Sequence, residues 1–148
     1  MLTSKIAIGC DHAGFALKQF LIGVIQEQPL EILDFGAFNE ESVDYPDFSN
    51  AVTSALIKSQ VKWGILICGT GLGMSISDNR FPEIRAALCF SEDMAKFARL
   101  HNDANIIVFG SRITEKETAK NCLNTFLNTE FEGGRHQRRI AKFAKKII

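Results

Sequence analysis

The chain has 148 residues, 46% of them apolar and 23% charged, which is the size and mixture of one globular domain and excludes a disordered or fibrous chain. Its 17 basic residues balance its 17 acidic ones, excluding both a bulk positive field for nucleic acid and an acidic solvating tail. Any anion must be held locally. Ahead of Asp11 only Ile6-Ala7-Ile8 is apolar, far short of a signal peptide, and no later run approaches a membrane span, so a cytoplasmic protein without membrane contact is expected. Cys10, Cys68, Cys89 and Cys122 lie far apart with no C-x-x-C pair, which reads as reduced thiols rather than a disulfide framework or zinc site.

Short β-rich runs alternate with longer helical patterns, a parallel-sheet signature. Residues 5–10 read as a first strand. A helix follows from 15 to about 28, where Phe15, Leu17, Phe20, Leu21, Val24 and Ile25 recur near helical spacing until Pro29 stops it. Residues 31–35 form a second strand, and a polar loop holding Val43-Asp44-Tyr45-Pro46-Asp47 leads to a helix over about 48–59. The unbroken apolar run 64–68 suits a central strand covered on both faces, and it ends at a glycine cluster. The pattern then predicts a short helix over 74–79, a strand over 85–90, a helix over 92–100 and a strand over 106–109. Thr114 and Glu117 have capping-box spacing, predicting a helix over 114–127. Gly133-Gly134 breaks the chain before a last basic helix over 135–147. With no repeat or linker, residues 1–148 are expected to form one domain, a three-layer α/β/α sandwich around five mainly parallel strands. Ligands in such sheets sit beyond the carboxyl ends of the strands.

Cys68-Gly69-Thr70-Gly71-Leu72-Gly73 directly follows the most apolar strand. Glycines let successive N–H groups face one anion. The run is neither a dinucleotide fingerprint, which needs glycine where Met74 stands, nor a P-loop, which needs a lysine after the last glycine. A thiol at the strand end facing amides is placed for proton transfer, although buried cysteine is also a common core filler. Asp11-His12 follows the first strand onto the same rim, with helix capping as Asp11's other reading. His101-Asn102-Asp103 ends a helix, where histidine and asparagine also serve as caps. Arg135 and Arg139 share a helix face and could grip a phosphate, or belong to a solvated basic face with Arg138, Lys142, Lys145 and Lys146. No aromatic platform supports RNA binding, and no His, Cys and carboxylate spacing suggests a metal site.

Ile8-Gly9-Cys10-Asp11-His12, Asp44-Tyr45-Pro46, Ile67-Cys68-Gly69-Thr70-Gly71, His101-Asn102-Asp103, Phe109-Gly110-Ser111-Arg112 and Glu132-Gly133-Gly134-Arg135-His136-Gln137 together, in order, resemble the type B ribose-5-phosphate isomerases. The resemblance implies a Rossmann-like domain in homodimers or homotetramers whose active sites are shared between subunits, and aldose–ketose isomerisation without metal or cofactor. It makes Cys68 the base between C1 and C2, with the amides of Gly69, Thr70, Gly71, Leu72 and Gly73 holding the enediolate and Thr70 bonding the reacting oxygens. His101, from the partner, opens the ring with Asp11 nearby, and Asn102 orients the sugar. His12, Arg135 and Arg139 bind phosphate, Arg112 joins them across the interface, and Tyr45 lines the pocket. One branch of the family replaces the cysteine by a loop glutamate; here Cys68 is present and Met74 stands where that glutamate would fall. Allose 6-phosphate and galactose 6-phosphate are the alternative substrates, and a non-catalytic sugar-phosphate-binding module is the alternative class.

Overall fold

The computed structural model describes residues 3–145 and 147. Five parallel strands make one sheet: β1 (Ser4–Cys10), β2 (Leu30–Asp34), β3 (Trp63–Cys68), β4 (Ala86–Leu88) and β5 (Ile106–Gly110), in the order β2-β1-β3-β5-β4. The crossovers are α1 (Phe15–Gln26), α2 (Tyr45–Ile57), α3 (Leu72–Asp78) and α4 (Glu92–Asn102); α5 (Lys116–Leu127) and a short α6 (Arg135–Ile140) follow the last strand. Among the described residues no helix is long and apolar enough to cross a membrane.

Side-chain alternation along the strands makes the layers. Ile6, Ile8 and Cys10 of β1, Ile65 and Ile67 of β3, and Ile107 and Phe109 of β5 face one side, where Leu21 and Ile25 of α1, Ala95 of α4 and Phe126 of α5 cover them. Ala7, Leu66, Cys68, Ile106 and Val108 face the other side, under Val52 of α2 and Met74 of α3. Each such aliphatic side chain, fully buried, contributes about 1.5–3 kcal/mol of transfer free energy. Two-sided burial is why β3 reads as an unbroken apolar run. Lys18 of α1 is fully buried too; its Nζ lies 2.8 Å from both carboxylate oxygens of Asp34, so the charge is paired and ties α1 to the end of β2.

Several helix ends differ from the sequence reading, among them the start of α3 at Leu72 rather than 74 and the three that follow. α2 begins at Tyr45, not near 48, because Pro46 occupies the first turn, where its missing N–H costs nothing. α5 begins at Lys116 behind Glu115 and has no side-chain cap bond, so Thr114 and Glu117 do not form a capping box. Residues 110–114 are instead engaged in a turn, with Thr114 N donating to Gly110 O at 2.9 Å, and the Thr114 hydroxyl is buried without a partner among the described residues. α6 stops at Ile140 and the chain continues in turns, with Phe143 N donating to Ile140 O at 3.0 Å in place of helical bonding. Of the basic run, Lys146 lies outside the described residues.

Candidate functional site

The edge where β1, β3 and β5 end carries the thiol. Cys68, 4% exposed, is the last residue of β3, and its Sγ accepts a hydrogen bond from Gly71 N at 3.2 Å. The other cysteines behave as core thiols: Cys10 and Cys89 point their sulfurs at carbonyl oxygens, and burial pushes both up to about 12, and Cys122 up to about 11. An amide aimed at sulfur interacts more strongly with a thiolate than with a thiol, which separates Cys68 from its counterparts.

The loop around it is shaped by close approaches. Gly71 has φ +80°, a left-handed conformation that glycine adopts without strain, and it turns the chain into α3. A Cβ on Gly73 would lie 2.8 Å from the Tyr45 hydroxyl, and one on Gly69 would lie 2.8 Å from Arg112 Nη1. Tyr45 therefore rests against Gly73, and the Arg112 guanidinium covers Gly69 of its own chain. Thr70 Oγ1 accepts from Leu72 N at 3.2 Å. From β1, Asp11 is 6% exposed and its Oδ1 accepts from Gly14 N at 3.1 Å, so the capping reading of Asp11 holds. Val43 N donates to His12 Nδ1 at 3.2 Å, which fixes the neutral ring's proton on Nε2 and leaves that nitrogen as a donor.

His101, Asn102, Arg135 and Arg139 lie at the opposite edge. α4 runs back from the end of β4 to the start of β5, so His101 and Asn102 sit where the strands begin. Arg99 confirms the position: its guanidinium lies 4.4 Å from the ring of Trp63, the first residue of β3, and its Nε donates to Thr129 O. The segment into α6 stays there, with Glu132 N donating to Leu100 O at 3.0 Å. Arg135 and Arg139 are exposed on α6. The 6 residues of β3 put roughly 20 Å between the two edges at about 3.3 Å per residue. Within one chain, Cys68, Thr70, Tyr45, Asp11, His12 and Arg112 form one group; His101, Asn102, Arg135 and Arg139 form another.

Three participants carry no role in the sequence reading. His136 stacks on His101 with centroids 4.3 Å apart, and Glu132 Oε2 lies 3.9 Å from His101 Nε2. Burial, then the neighbouring His101 and Arg135, hold the His136 imidazole below the ordinary histidine range. Both residues stand in the Glu132-Gly133-Gly134-Arg135-His136-Gln137 motif, but only tertiary structure brings them to His101. Asp78, at the end of α3, is fully buried; Ser49 and Thr53 hydroxyls of α2 donate to its Oδ1 at 2.6 and 2.7 Å. Burial outweighs these bonds and pushes its carboxyl up to about 6.

Known proteins resemble this chain over nearly its whole length. A family model described as ribose/galactose isomerase matches residues 6–143. The Escherichia coli K12 protein named ribose-5-phosphate isomerase B is 44% identical over 136 residues, covering 92% of this chain and 91% of its own length. A putative sugar phosphate isomerase of Rickettsia bellii is 45% identical over 142 residues, 96% of this chain and 99% of its own. Among solved structures, a ribose 5-phosphate isomerase from Thermotoga maritima superposes with TM-score 0.94 at 48% identity, covering 97% of this chain and 99% of that one. The type B enzyme of Trypanosoma brucei gives 0.93 at 40% identity, covering 97% and 98%.

Proposed function

Because the chain belongs to the ribose/galactose isomerase family, we propose that it interconverts ribose 5-phosphate and ribulose 5-phosphate in the cytoplasm, without metal or cofactor, using Cys68 as base. The carrying observation is the amide of Gly71 aimed at Cys68 Sγ at the carboxyl end of β3, beside a glycine loop overlain by Tyr45 and Arg112. Once the sugar is open-chain, the Cys68 thiolate takes the proton from C2 and the electron pair moves onto the C1 carbonyl oxygen, giving an enediolate. With Gly71's amide on the sulfur and Leu72's on Thr70 Oγ1, the oxyanion falls to the rest of the loop, Gly73 included, and to the Thr70 hydroxyl. The thiol then returns the proton to C1 while the hydroxyl proton at O2 moves to O1, leaving the carbonyl at C2.

Ring opening needs a group that takes the anomeric hydroxyl proton and returns one to the ring oxygen; His101 is assigned that role, with Asp11 nearby and Asn102 orienting the sugar. His12 Nε2, Arg112, Arg135 and Arg139 hold the phosphate. Since His101 and Cys68 belong to opposite edges of one chain, a site using both is built from two copies, which supports a homodimer or a tetramer of such dimers. Leu72 and Ile76 of α3 and Phe90, Met94 and Phe97 in and beside α4 are 39–68% exposed, an apolar surface such a partner would cover.

An assay across ribose 5-phosphate, allose 6-phosphate and galactose 6-phosphate tests this reading. Ribose 5-phosphate should give the highest kcat/KM, with or without chelator. Preference for a six-carbon substrate would reassign the specificity; absence of turnover on all three would leave a binding module.

A further inference from the structure

One ring nitrogen each of His101 and His136 and a carboxylate oxygen of Glu132 lie within 4.8 Å of one another, all from a single chain. The rings are nearly parallel, 17° apart and stacked, so their in-plane lone pairs do not converge in this arrangement, and an ion is shared only when the His101 ring turns out of the stack. Two imidazoles and a carboxylate suit the borderline divalent transition ions, zinc above all, whereas magnesium and calcium favour oxygen alone. His136 supplies a second, independent sign of a ligand: it is 6% exposed, and its Nε2 is buried without a hydrogen-bond partner among the described residues. A buried polar atom left unpaired is costly, so a native one needs a reason.

We propose that His101, Glu132 and His136 form a zinc-class metal site, one per chain, at which a bound divalent transition ion takes the His101 lone pair and arrests the isomerase. The backbone already supports it, because Glu132 N donates to Leu100 O at 3.0 Å and His136 N to Gly133 O at 3.2 Å, holding both ligands against the end of α4. Tetrahedral zinc with bonds near 2.0–2.1 Å needs donor atoms roughly 3.3 Å apart, so the cluster closes by up to about 1.5 Å as the His101 ring turns. Glu132 and His101 are both partly exposed, and His101 leaves its contacts with the His136 and Phe97 rings to make that movement. Three protein ligands leave a fourth position for water or an anion. Arg135 and Arg139 act electrostatically on His136 and oppose any cation; this disfavours ions held by charge alone more than ions that bond covalently to nitrogen. Binding follows from this geometry; arrest rests on the role proposed above for His101.

The test begins with metal-free Cys68→Ala protein titrated with Co2+, which removes the reactive thiol from consideration. One Co2+ per chain should bind, with the visible spectrum of nitrogen and oxygen ligation, no thiolate charge-transfer band, and displacement by Zn2+. His136→Ala and Glu132→Gln should each weaken binding by roughly 100-fold, at the upper end of what loss of a mere outer-shell partner costs. Glu132→Gln, on a half-exposed residue, keeps the comparison free of packing effects. In the unsubstituted enzyme saturating Zn2+ should lower kcat by roughly 10²–10⁴-fold, the usual worth of a positioned acid–base group, and chelator should restore it while Mg2+ does nothing. His136→Ala, measured against its own chelated rate, should escape inhibition. No stoichiometric Co2+ binding, or equal binding in both variants, would overturn the site; Zn2+ binding with unchanged turnover would overturn the arrest. An enzyme inactive even in chelator would sink the isomerase reading instead, with the Co2+ arms still legible.

Discussion

At the edge where β1, β3 and β5 end, the proposed chemistry is carried by backbone amides and short side chains locked by close packing: Cys68 against Gly71 N, Tyr45 against Gly73, Asp11 capping the turn at Gly14. At the edge where the strands begin, it is carried by longer, more exposed side chains on α4 and α6, with His101, Arg135 and Arg139 supported mainly by neighbours on the same surface. The difference follows from the tasks. Moving a proton between adjacent carbons tolerates little misplacement, which a buried strand end secures for the proposed base, Cys68. Holding a phosphate depends on charge and reach, which flexible arginines supply.

Cys68→Ala sharpens the contrast most. Loss of the base should lower kcat by roughly 10²–10⁴-fold, about 3–5 kcal/mol of barrier, while substrate binding survives. Exchange of the C2 proton with solvent should vanish with it, and Cys68→Ser should not restore either. Near-normal turnover and exchange in Cys68→Ala would move the base elsewhere, with Asp11 the next residue to replace.

Mixing two inactive proteins tests whether the edges meet between copies. Cys68→Ala and His101→Asn, unfolded and refolded together, give heterodimers with one intact site and one doubly altered site. Random pairing in a twofold dimer restores about a quarter of the original activity. Recovery no greater than the sum of the separate variants would show that both groups act within one chain, against the geometry of α4.

On the gripping edge, Arg139→Met removes the proposed phosphate contact, which would be made in ground state and transition state alike, so KM should rise roughly tenfold or more with kcat little changed, the loss of a charged hydrogen bond worth about 1.5–3 kcal/mol. An unchanged KM would return the arginine to the solvated basic face.

The smallest effect concerns what supports the rigid edge. Asp78 ends α3 and is buried against α2, and burial raises its carboxyl from 3.8 to about 6. The folded protein therefore holds this proton more tightly than the unfolded chain, so Asp78 favours folding at low pH and loses that contribution as pH climbs from about 4 through 6. The slope is at most about 1.4 kcal/mol per pH unit for one proton. Urea midpoints of the protein and of Asp78→Asn, measured from pH 4.5 to 7.5, should diverge by this slope and run parallel above it. Parallel curves throughout would mean that the carboxyl ionises normally.

The sheet was legible because β1, β3 and β5 are buried on both faces and leave apolar runs that nothing else explains. The rim was legible because strand ends in a parallel sheet are forced to one side, which placed Cys68 with Asp11. What escaped depends on long-range packing. The capping spacing of Thr114 and Glu117 is a local signal, overridden because Ser111 N and Arg112 N donate to Cys68 O and Gly69 O, each at 2.9 Å, and draw the turn away from the helix. His136 carried no periodic signal: its meaning comes from the ring it meets. Asp78 looked like any polar residue ending a short helix until α2 closed over it.

The 11 residues of α4 act as a strut between the two edges. At about 1.5 Å and 100° per residue, its length sets both how far His101 stands from the sheet's opposite rim and the azimuth at which the imidazole faces outward. Inserting one residue before His101 would swing that ring about a quarter-turn from His136, whereas the loop between β2 and α2 carries no such phase. In the proposed two-copy site, matching halves meet only while this helix keeps its count, so the dimension that would govern assembly is written as an integer in the middle of an otherwise ordinary crossover.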